Sequence, residues 1–205
     1  MNLPPTAPVT PCDLESVLAT AELDQRTSRP PDREAEKLAL VALLHALAEY
    51  PKDFFATLVQ ATLKLCGADS TGISLLNEKE GRFVWPAVAG KLQSYIGAGT
   101  PSDFGPCGTV LDRQSSLLFV HPERHFTYLI PITPPLEEVL LIPFYMDDKP
   151  VGTIWAVIHE KHRKFDSEDR RLLESLSTFA ASAYRALAKS GELEPLLRVK
   201  PVSAQ

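Results

Sequence analysis

The sequence is poor in cysteine, has no excess of basic residues and contains no long hydrophobic run. Its three cysteines, Cys12, Cys66 and Cys107, form no CxxC pair, which argues against a disulfide framework or a structural zinc site. A formal net charge of −5, without a Lys/Arg cluster, gives no support for a nucleic-acid partner. No apolar stretch approaches membrane-spanning length, and residues 1–11 lack the basic start and apolar run of a signal peptide. We therefore expect a cytoplasmic protein with neither a membrane nor a nucleic acid as partner.

What remains is the composition of a soluble globular chain. With 205 residues, 44% of them hydrophobic and 23% charged, it is long enough for one domain with a proper core and some tail. Prolines concentrated before residue 32 predict a flexible, proline-rich arm over 1–31, ordered only by a partner or a docking surface. We expect the folded domain to span 32–190 and a mobile tail to span 191–205.

The stretch from Glu138 to Leu187 organises the fold. Residues 139–146 form an almost continuous apolar run, typical of a strand covered on both faces. Residues 147–150 are polar and end in proline, as in a hairpin connection. The next strand alternates between two faces, with Ile154, Ala156 and Ile158 on one and Thr153, Trp155, Val157 and His159 on the other.

A long helix is predicted after Phe165. Asp166 can cap it, and Glu168 and Asp169 place negative charge at the positive end of its dipole. Its apolar residues follow one helical stripe, made of Leu172, Leu176, Phe179, Ala180, Ala183 and Leu187.

The rest of the chain adds helices, a second hairpin and an irregular segment. The further elements are helices at 32–50 and 53–67, strands at 70–76, 82–89 and 117–120, and a helical turn at 109–114. Residues 90–135 are otherwise irregular, and a long insertion of this kind is more often a binding region than a plain connection. Consecutive strands joined by short turns predict an antiparallel sheet with helices on one face, so the fold class is α+β.

Four segments give the chain a resemblance to a known family. They are Phe104–Thr109, Leu140–Pro143, Val151–Trp155 and Phe165–Asp169 with its following helix. With this order of elements the chain resembles the GAF domain, of the kind found at the input end of bacterial sensor histidine kinases. The resemblance implies a six-stranded antiparallel sheet with a ligand pocket between one sheet face and the irregular segment. It also implies terminal helices on the opposite face, which in the family commonly form a dimer bundle leading to an output domain.

Cys107 allows two interpretations. Its Gly-Pro-Cys-Gly surroundings leave little steric shielding, as a redox sensor or a covalent attachment point requires. The alternative is a packed loop thiol. Family members that attach a bilin carry a cysteine followed by histidine, and Gly108 follows here. Members that reduce free methionine sulfoxide use a further cysteine before the penultimate strand, and 130–138 contains none. The packed thiol is therefore favoured.

Aromatic and histidine side chains are the best candidates for lining a pocket. The aromatic residues would contact an apolar ligand and the histidines would orient it, although aromatics equally often fill a core. No third ligand accompanies His121 and His125, so pocket-rim or surface positions are favoured over a metal site. His159 and His162 are expected to be solvated. The candidate ligand-binding residues are Phe104, Cys107, Phe119, His121, His125, Phe126 and Trp155.

The sequence thus predicts a non-enzymatic signalling domain that senses a small, largely apolar molecule. Ligand binding would rearrange the terminal helices at a homodimer interface and act on a histidine kinase or another output domain, as in a two-component system. No cofactor is indicated. One alternative is a ligand-free dimerisation module, because the apolar stripes from Leu40 to Leu47 and from Leu172 to Leu187 exceed what one sheet face covers. Another is a redox or tetrapyrrole sensor based on Cys107.

Overall fold

One antiparallel sheet forms the centre of the computed structural model, which describes residues 11–198. Its strands are β1 (Ser70–Asn77), β2 (Arg82–Gly90), β3 (Gly99–Pro101), β4 (Leu117–Val120), β5 (Glu138–Met146) and β6 (Lys149–Ile158). They lie in the order β3-β2-β1-β6-β5-β4, and every neighbouring pair is antiparallel. The predicted α+β class and the six-stranded sheet are confirmed.

Among the described residues, five α-helices accompany the sheet, and local sequence signals set the start of α2 and both ends of α5. The helices are α1 (Thr20–Leu23), α2 (Arg33–Glu49), α3 (Phe54–Leu65), α4 (Pro106–Arg113) and α5 (Ser167–Ser190). Asp32 caps α2 by accepting from the Ala35 amide, and Asp166 with Asp169 forms a capping box at α5. Gly191 ends α5 with φ of +75°, a conformation that favours glycine. None of the helices between residues 11 and 198 is both long and apolar enough to cross a membrane.

The two sheet faces carry separate cores, as the alternation of β6 predicts. Ile154, Ala156 and Ile158 pack with α3 and α5 in the larger core. Trp155 and Val157 point to the other face, where they pack with side chains of the irregular segment. The terminal helices and the irregular segment therefore lie on opposite faces of the sheet, as expected.

The hairpin between β5 and β6 is tighter than predicted. Only Asp147 and Asp148 form the turn, with φ of +50° and +63°, and Met146 already pairs with Lys149. Positive φ at both central residues is typical of the two-residue turns that match the twist of a hairpin. Pro150 lies within β6 rather than in the connection.

Residues 11–31 are packed, which differs from the flexible arm expected there. Leu18 forms a bridge with Phe119 of the edge strand β4, and the Ala19 amide donates to the Leu118 carbonyl at 2.8 Å. Val17 is buried in the core on the irregular side, whereas Leu23 is buried in the core on the helix side. The unpaired edge of β4 is the docking surface that orders this segment. The expected arm over 1–10 and the tail over 199–205 lie outside the described residues, and the domain boundaries stay a prediction.

Candidate functional site

A small cavity lies between the sheet and the irregular segment. Its volume is about 50 Å³. The sheet contributes Trp85, Thr100, Val139, Leu141, Trp155 and Val157, and the irregular segment contributes Leu92, Pro106, Cys107, Pro122, Leu129, Ile132 and Leu136. One buried water needs about 10–15 Å³, and an engineered cavity of about 150 Å³ accepts benzene. The cavity therefore holds a few water-sized atoms as it stands, and a ligand the size of benzene requires its walls to move.

Two tryptophans, Trp85 of β2 and Trp155 of β6, line the cavity across the intervening strand β1. Their rings meet edge to face, with centroids 5.5 Å apart and an interplanar angle of 62°. Trp155 lies over Gly72 of β1, and its Nε1–H donates to the Ser74 hydroxyl at 3.0 Å. Two sheet positions therefore fix the orientation of the Trp155 indole.

Cys107 is the polar neighbour of this tryptophan. Its thiol donates to Ser74 Oγ at 3.4 Å and accepts from the Thr153 hydroxyl at 3.4 Å. Burial raises the pKa of the Cys107 thiol, while the bonds to Ser74 and Thr153 oppose this shift. A buried thiol with a raised pKa stays protonated at neutral pH. This favours the packed thiol over a reactive one.

Three hydroxyl or indole groups at the cavity make no hydrogen bond of normal geometry with the described residues. Two of them, the hydroxyls of Thr100 and Tyr128, lie near each other, because burial raises the pKa of Tyr128 and Thr100 opposes that rise as a hydrogen-bond partner. Trp85 Nε1 and Thr100 Oγ1 belong to side chains that line the cavity. The third is the hydroxyl of Tyr128, which lies beside Gly105. A buried polar atom without a partner costs about 1–3 kcal/mol. The site therefore favours an occupant that supplies hydrogen bonds.

The sequence model of the GAF domain matches residues 48–184, about two thirds of the chain. The chain belongs to the GAF domain family. The match agrees with the fold, and it confirms the family indicated by the sequence. No curated protein matches the chain significantly.

Solved GAF structures support the same fold. The GAF domain of Acinetobacter phosphoenolpyruvate-protein phosphotransferase is 18% identical with a TM-score of 0.65, covering 75% of this chain and 95% of that one. Free methionine-R-sulfoxide reductase from Neisseria meningitidis, in complex with its substrate, is 15% identical with a TM-score of 0.64, covering 80% and 97%. The GAF-B domain of DevS from Mycobacterium smegmatis is 20% identical with a TM-score of 0.56, covering 70% and 98%. At these identities the likeness shows the fold alone.

Of the seven candidate residues, two line the cavity of this GAF domain. They are Cys107 and Trp155. Phe126 instead forms the centre of an adjacent aromatic cluster, at ring distances of 5.2 Å from Phe104 and 6.0 Å from Phe119. Phe104 is 42% exposed, whereas Phe119 and Phe126 are buried. None of these three rings lines the cavity, and Phe119 and Phe126 pack in the core on the same face of the sheet.

The histidines also lie away from the cavity surface. His125 Nδ1 lies 2.6 Å from the Cys12 carbonyl and ties the N-terminal segment to the irregular one. His121 has φ of +49°, so it does not share a helix face with His125, and its ring lies between Glu123 and Glu137 at 3.4 Å from each. Among residues 11–198, no three His, Cys, Asp or Glu side chains form a group that could hold a metal ion.

His159 is buried, which corrects the solvated position expected for it. Its Nδ1 lies 2.7 Å from the Pro135 carbonyl, which can only accept, so Nδ1 carries the proton. Nε2 then accepts from the Ser70 hydroxyl at 2.8 Å, and Ser70 Oγ accepts from the Leu92 amide at 3.0 Å. Burial lowers the pKa of His159. This series of hydrogen bonds fixes the backbone at Leu92 and at Pro135. Leu92 and Leu136, the residue after Pro135, both line the cavity.

Proposed function

We propose that this GAF domain is a non-enzymatic sensor that binds a small, largely apolar molecule in the cavity. Binding changes the arrangement of α2 and α5 at an interface between two copies of the chain. The observation that carries the proposal is the alternation of β5 and β6. Val139 and Leu141 border the cavity on one face, and Leu140 and Ile142 pack in the helix-side core on the other.

Direct contacts can transmit a movement of β5 and β6 to both α5 and α2. Alternate side chains of β5 and β6 share one core with Leu172, Leu173 and Leu176 of α5. Arg171 of α5 in turn forms a two-pronged ion pair with Glu36 of α2, at 2.7 and 3.0 Å. Paired guanidinium–carboxylate contacts of this kind fix orientation as well as distance. A shift of α5 is therefore expected to carry α2 with it.

The outer face of α2 is suited to a second copy of the chain. Of the predicted stripe from Leu40 to Leu47, Leu43 is fully buried, but Leu44 is 58% exposed. Leu38 and Val41 are 61% and 47% exposed on the same helix. Apolar side chains grouped in this way favour burial against another surface. Homodimerisation through α2 would place the helices that respond to ligand at the interface that carries the signal to a histidine kinase or another output domain.

Native mass spectrometry of freshly purified protein tests this function. The matched variants are Ile132→Phe, which inserts a ring at a cavity-lining position, and Ile130→Phe, which makes the same change at a residue that is 49% exposed. We expect wild type and Ile130→Phe to retain a small mass that Ile132→Phe loses, with dimers in all three. A retained mass in Ile132→Phe, or none in any sample, would contradict ligand binding in the cavity.

The exposed stripe of α2 also supports a second candidate function, a dimerisation module without a ligand. The two functions differ in whether a ligand occupies the cavity of the dimer. If dimers form without any retained mass, the ligand-free module is favoured. Sedimentation that gives a monomer at high protein concentration would contradict both.

A further inference from the structure

We propose that the cavity selects an uncharged molecule of a few non-hydrogen atoms that carries one hydrogen-bond-accepting oxygen, held by Trp85 and Thr100. This inference rests on the proposed function, because it assumes that the cavity is the ligand site. It adds the chemical class of the ligand and the two residues that recognise it.

The unpartnered polar atoms are concentrated at this cavity. Six buried side-chain atoms lack a hydrogen-bond partner among the described residues, and three of them belong to Trp85, Thr100 and the neighbouring Tyr128. Trp85 and Thr100 line the cavity, and each side chain is more than nine-tenths buried. Buried polar groups in folded proteins are normally paired, so each exception requires an explanation. A bound oxygen at the cavity wall provides one for both lining residues.

The strand register places the two groups close together. Thr100 of β3 pairs with Phe83 of β2, and Trp85 lies two residues further along β2. Phe83 and Trp85 share the cavity-side core, so Trp85 and Thr100 are diagonal neighbours on one face of the sheet. An indole N–H can only donate, and a threonine hydroxyl can also donate. Two donors on one face fit an oxygen with two lone pairs, as in a ketone, an amide or an alcohol.

The residues that line the cavity determine which ligand charge it can accept. Among the described residues that line the cavity there is no Asp, Glu, Lys, Arg or His, and Cys107 is a protonated thiol. A buried carboxylate, phosphate or ammonium group would lack a counter-charge there, and burial of an unpaired charge is strongly unfavourable. An uncharged ligand avoids this penalty. The remaining walls are aliphatic or aromatic, so the rest of the ligand is apolar.

Water is the competing occupant. The cavity has room for a few water molecules, and one of them could satisfy Trp85 Nε1. The hydroxyl of Thr100 already acts on Tyr128 as a hydrogen-bond partner, so these two hydroxyls can pair with each other, whereas Trp85, as a donor only, always needs an outside acceptor. A test must therefore separate recognition of a ligand oxygen from filling by water.

Three molecules of nearly equal shape provide this test. They are acetone, 2-methylpropene, which replaces the ketone oxygen by a CH2 group, and acetate, which replaces one methyl group by a charged oxygen. Each is titrated into the full chain while the two indole N–H signals are followed by ¹H–¹⁵N NMR, since the chain has only two tryptophans. The Trp155→Phe variant assigns the signals.

We expect the ketone to bind at least about tenfold more tightly than the alkene, because the alkene loses the hydrogen bonds from both Trp85 and Thr100. It should shift the Trp85 indole signal more than that of Trp155, whose N–H already bonds Ser74. Acetate should not bind. Thr100→Val, which removes the hydroxyl at nearly constant shape, should weaken the ketone several-fold and leave the alkene unchanged.

Equal affinity for ketone and alkene, tighter binding of acetate than of the ketone, or no binding of any probe at the highest concentration that the protein tolerates would each overturn the inference. If no probe binds, water is the occupant of the cavity. Native mass spectrometry decides the proposed function separately. A retained ligand that proves to be charged would uphold the sensor and overturn the inference, whereas the absence of any retained mass would contradict the sensor itself.

Discussion

The Trp155 indole lies directly over Gly72, its register partner on β1. A Cβ atom at Gly72 would approach the ring to 2.1 Å, far inside any allowed contact. The glycine thus leaves the space in which the tryptophan lies flat against the sheet. From there it reaches Ser74 with its N–H and borders the cavity with its ring.

Gly72→Ala should therefore displace Trp155 and destabilise the domain by about 1–3 kcal/mol, the usual result of overpacking a core. Urea unfolding monitored by tryptophan fluorescence measures this. In a Trp155→Leu background the same substitution should cost much less, because the ring that it meets is gone. An equal loss in both backgrounds would mean that the contact does not limit the packing at Gly72.

The buried ion pair of Arg26 and Glu138 should anchor the N-terminal segment. Glu138 is 1% exposed and accepts from Arg26 at 2.8 and 3.0 Å and from the Phe165 amide at 2.9 Å. Arg26→Met leaves a buried carboxylate without its partner, so we expect a loss of about 3–5 kcal/mol in the free energy of unfolding. Adding Glu138→Gln should restore much of it.

The control for this prediction is Arg113→Met, because the partner of Arg113 is the exposed Glu15. Exposed pairs contribute little, so a change below about 1 kcal/mol is expected. If Arg26→Met is as mild as the control, the ion pair with Glu138 does not anchor the N-terminal segment.

The neutral state of His159 should make the domain sensitive to acid. Its folded pKa lies below the unfolded value of 6.5 because burial outweighs the favourable carboxylate of Asp69. Above pH 6.5 both states are neutral and the group does not affect stability. Below pH 6.5 the unfolded chain binds a proton that the folded one resists, so stability falls until the folded pKa is reached.

Chemical denaturation between pH 5 and 7.5 measures this effect as the difference between wild type and His159→Gln. Taking the difference removes the contributions of the other titrating groups. The wild type should lose more stability than the variant as the pH falls. Parallel curves would show that His159 titrates normally.

The three cysteines should differ in reactivity. Cys66 and Cys107 are buried and burial raises the pKa of both thiols, whereas Cys12 is partly exposed. A thiol reagent such as 5,5′-dithiobis(2-nitrobenzoate) should modify one thiol in the native protein and three after unfolding, and none in native Cys12→Ser. Fast modification of Cys107 in the native state would revive its interpretation as a redox sensor.

Local signals in the sequence predicted the parts of the fold that depend on local rules. The Asp166 cap, the alternation along β6 and the turn after Met146 are set by neighbouring residues, so helix α5 and the two faces of the hairpin could be assigned. The packing of residues 11–31 could not, because it depends on the free edge of β4, which exists only in the folded sheet.

The cavity was predicted in its place but only partly in its residues. Aromatic side chains mark the irregular segment, yet composition does not reveal which ring faces the cavity, and Phe119 and Phe126 pack behind it. Thr100 was not predicted as a site residue, because a single threonine in a sequence does not indicate a binding site. Its position beside Trp85 arises from the pairing of β2 with β3, a contact between strands that a glycine-rich stretch separates.

The coupling of the cavity to the outer helices is measured most directly as a distance between two copies of α2. A nitroxide label at Lys37→Cys, in a Cys12→Ser background, reports that distance by pulsed electron spin resonance. With saturating acetone, the distance distribution should shift, and the shift should be absent in Ile132→Phe and present in Ile130→Phe. An unchanged distribution while the Trp85 indole signal shows the cavity occupied would contradict the coupling.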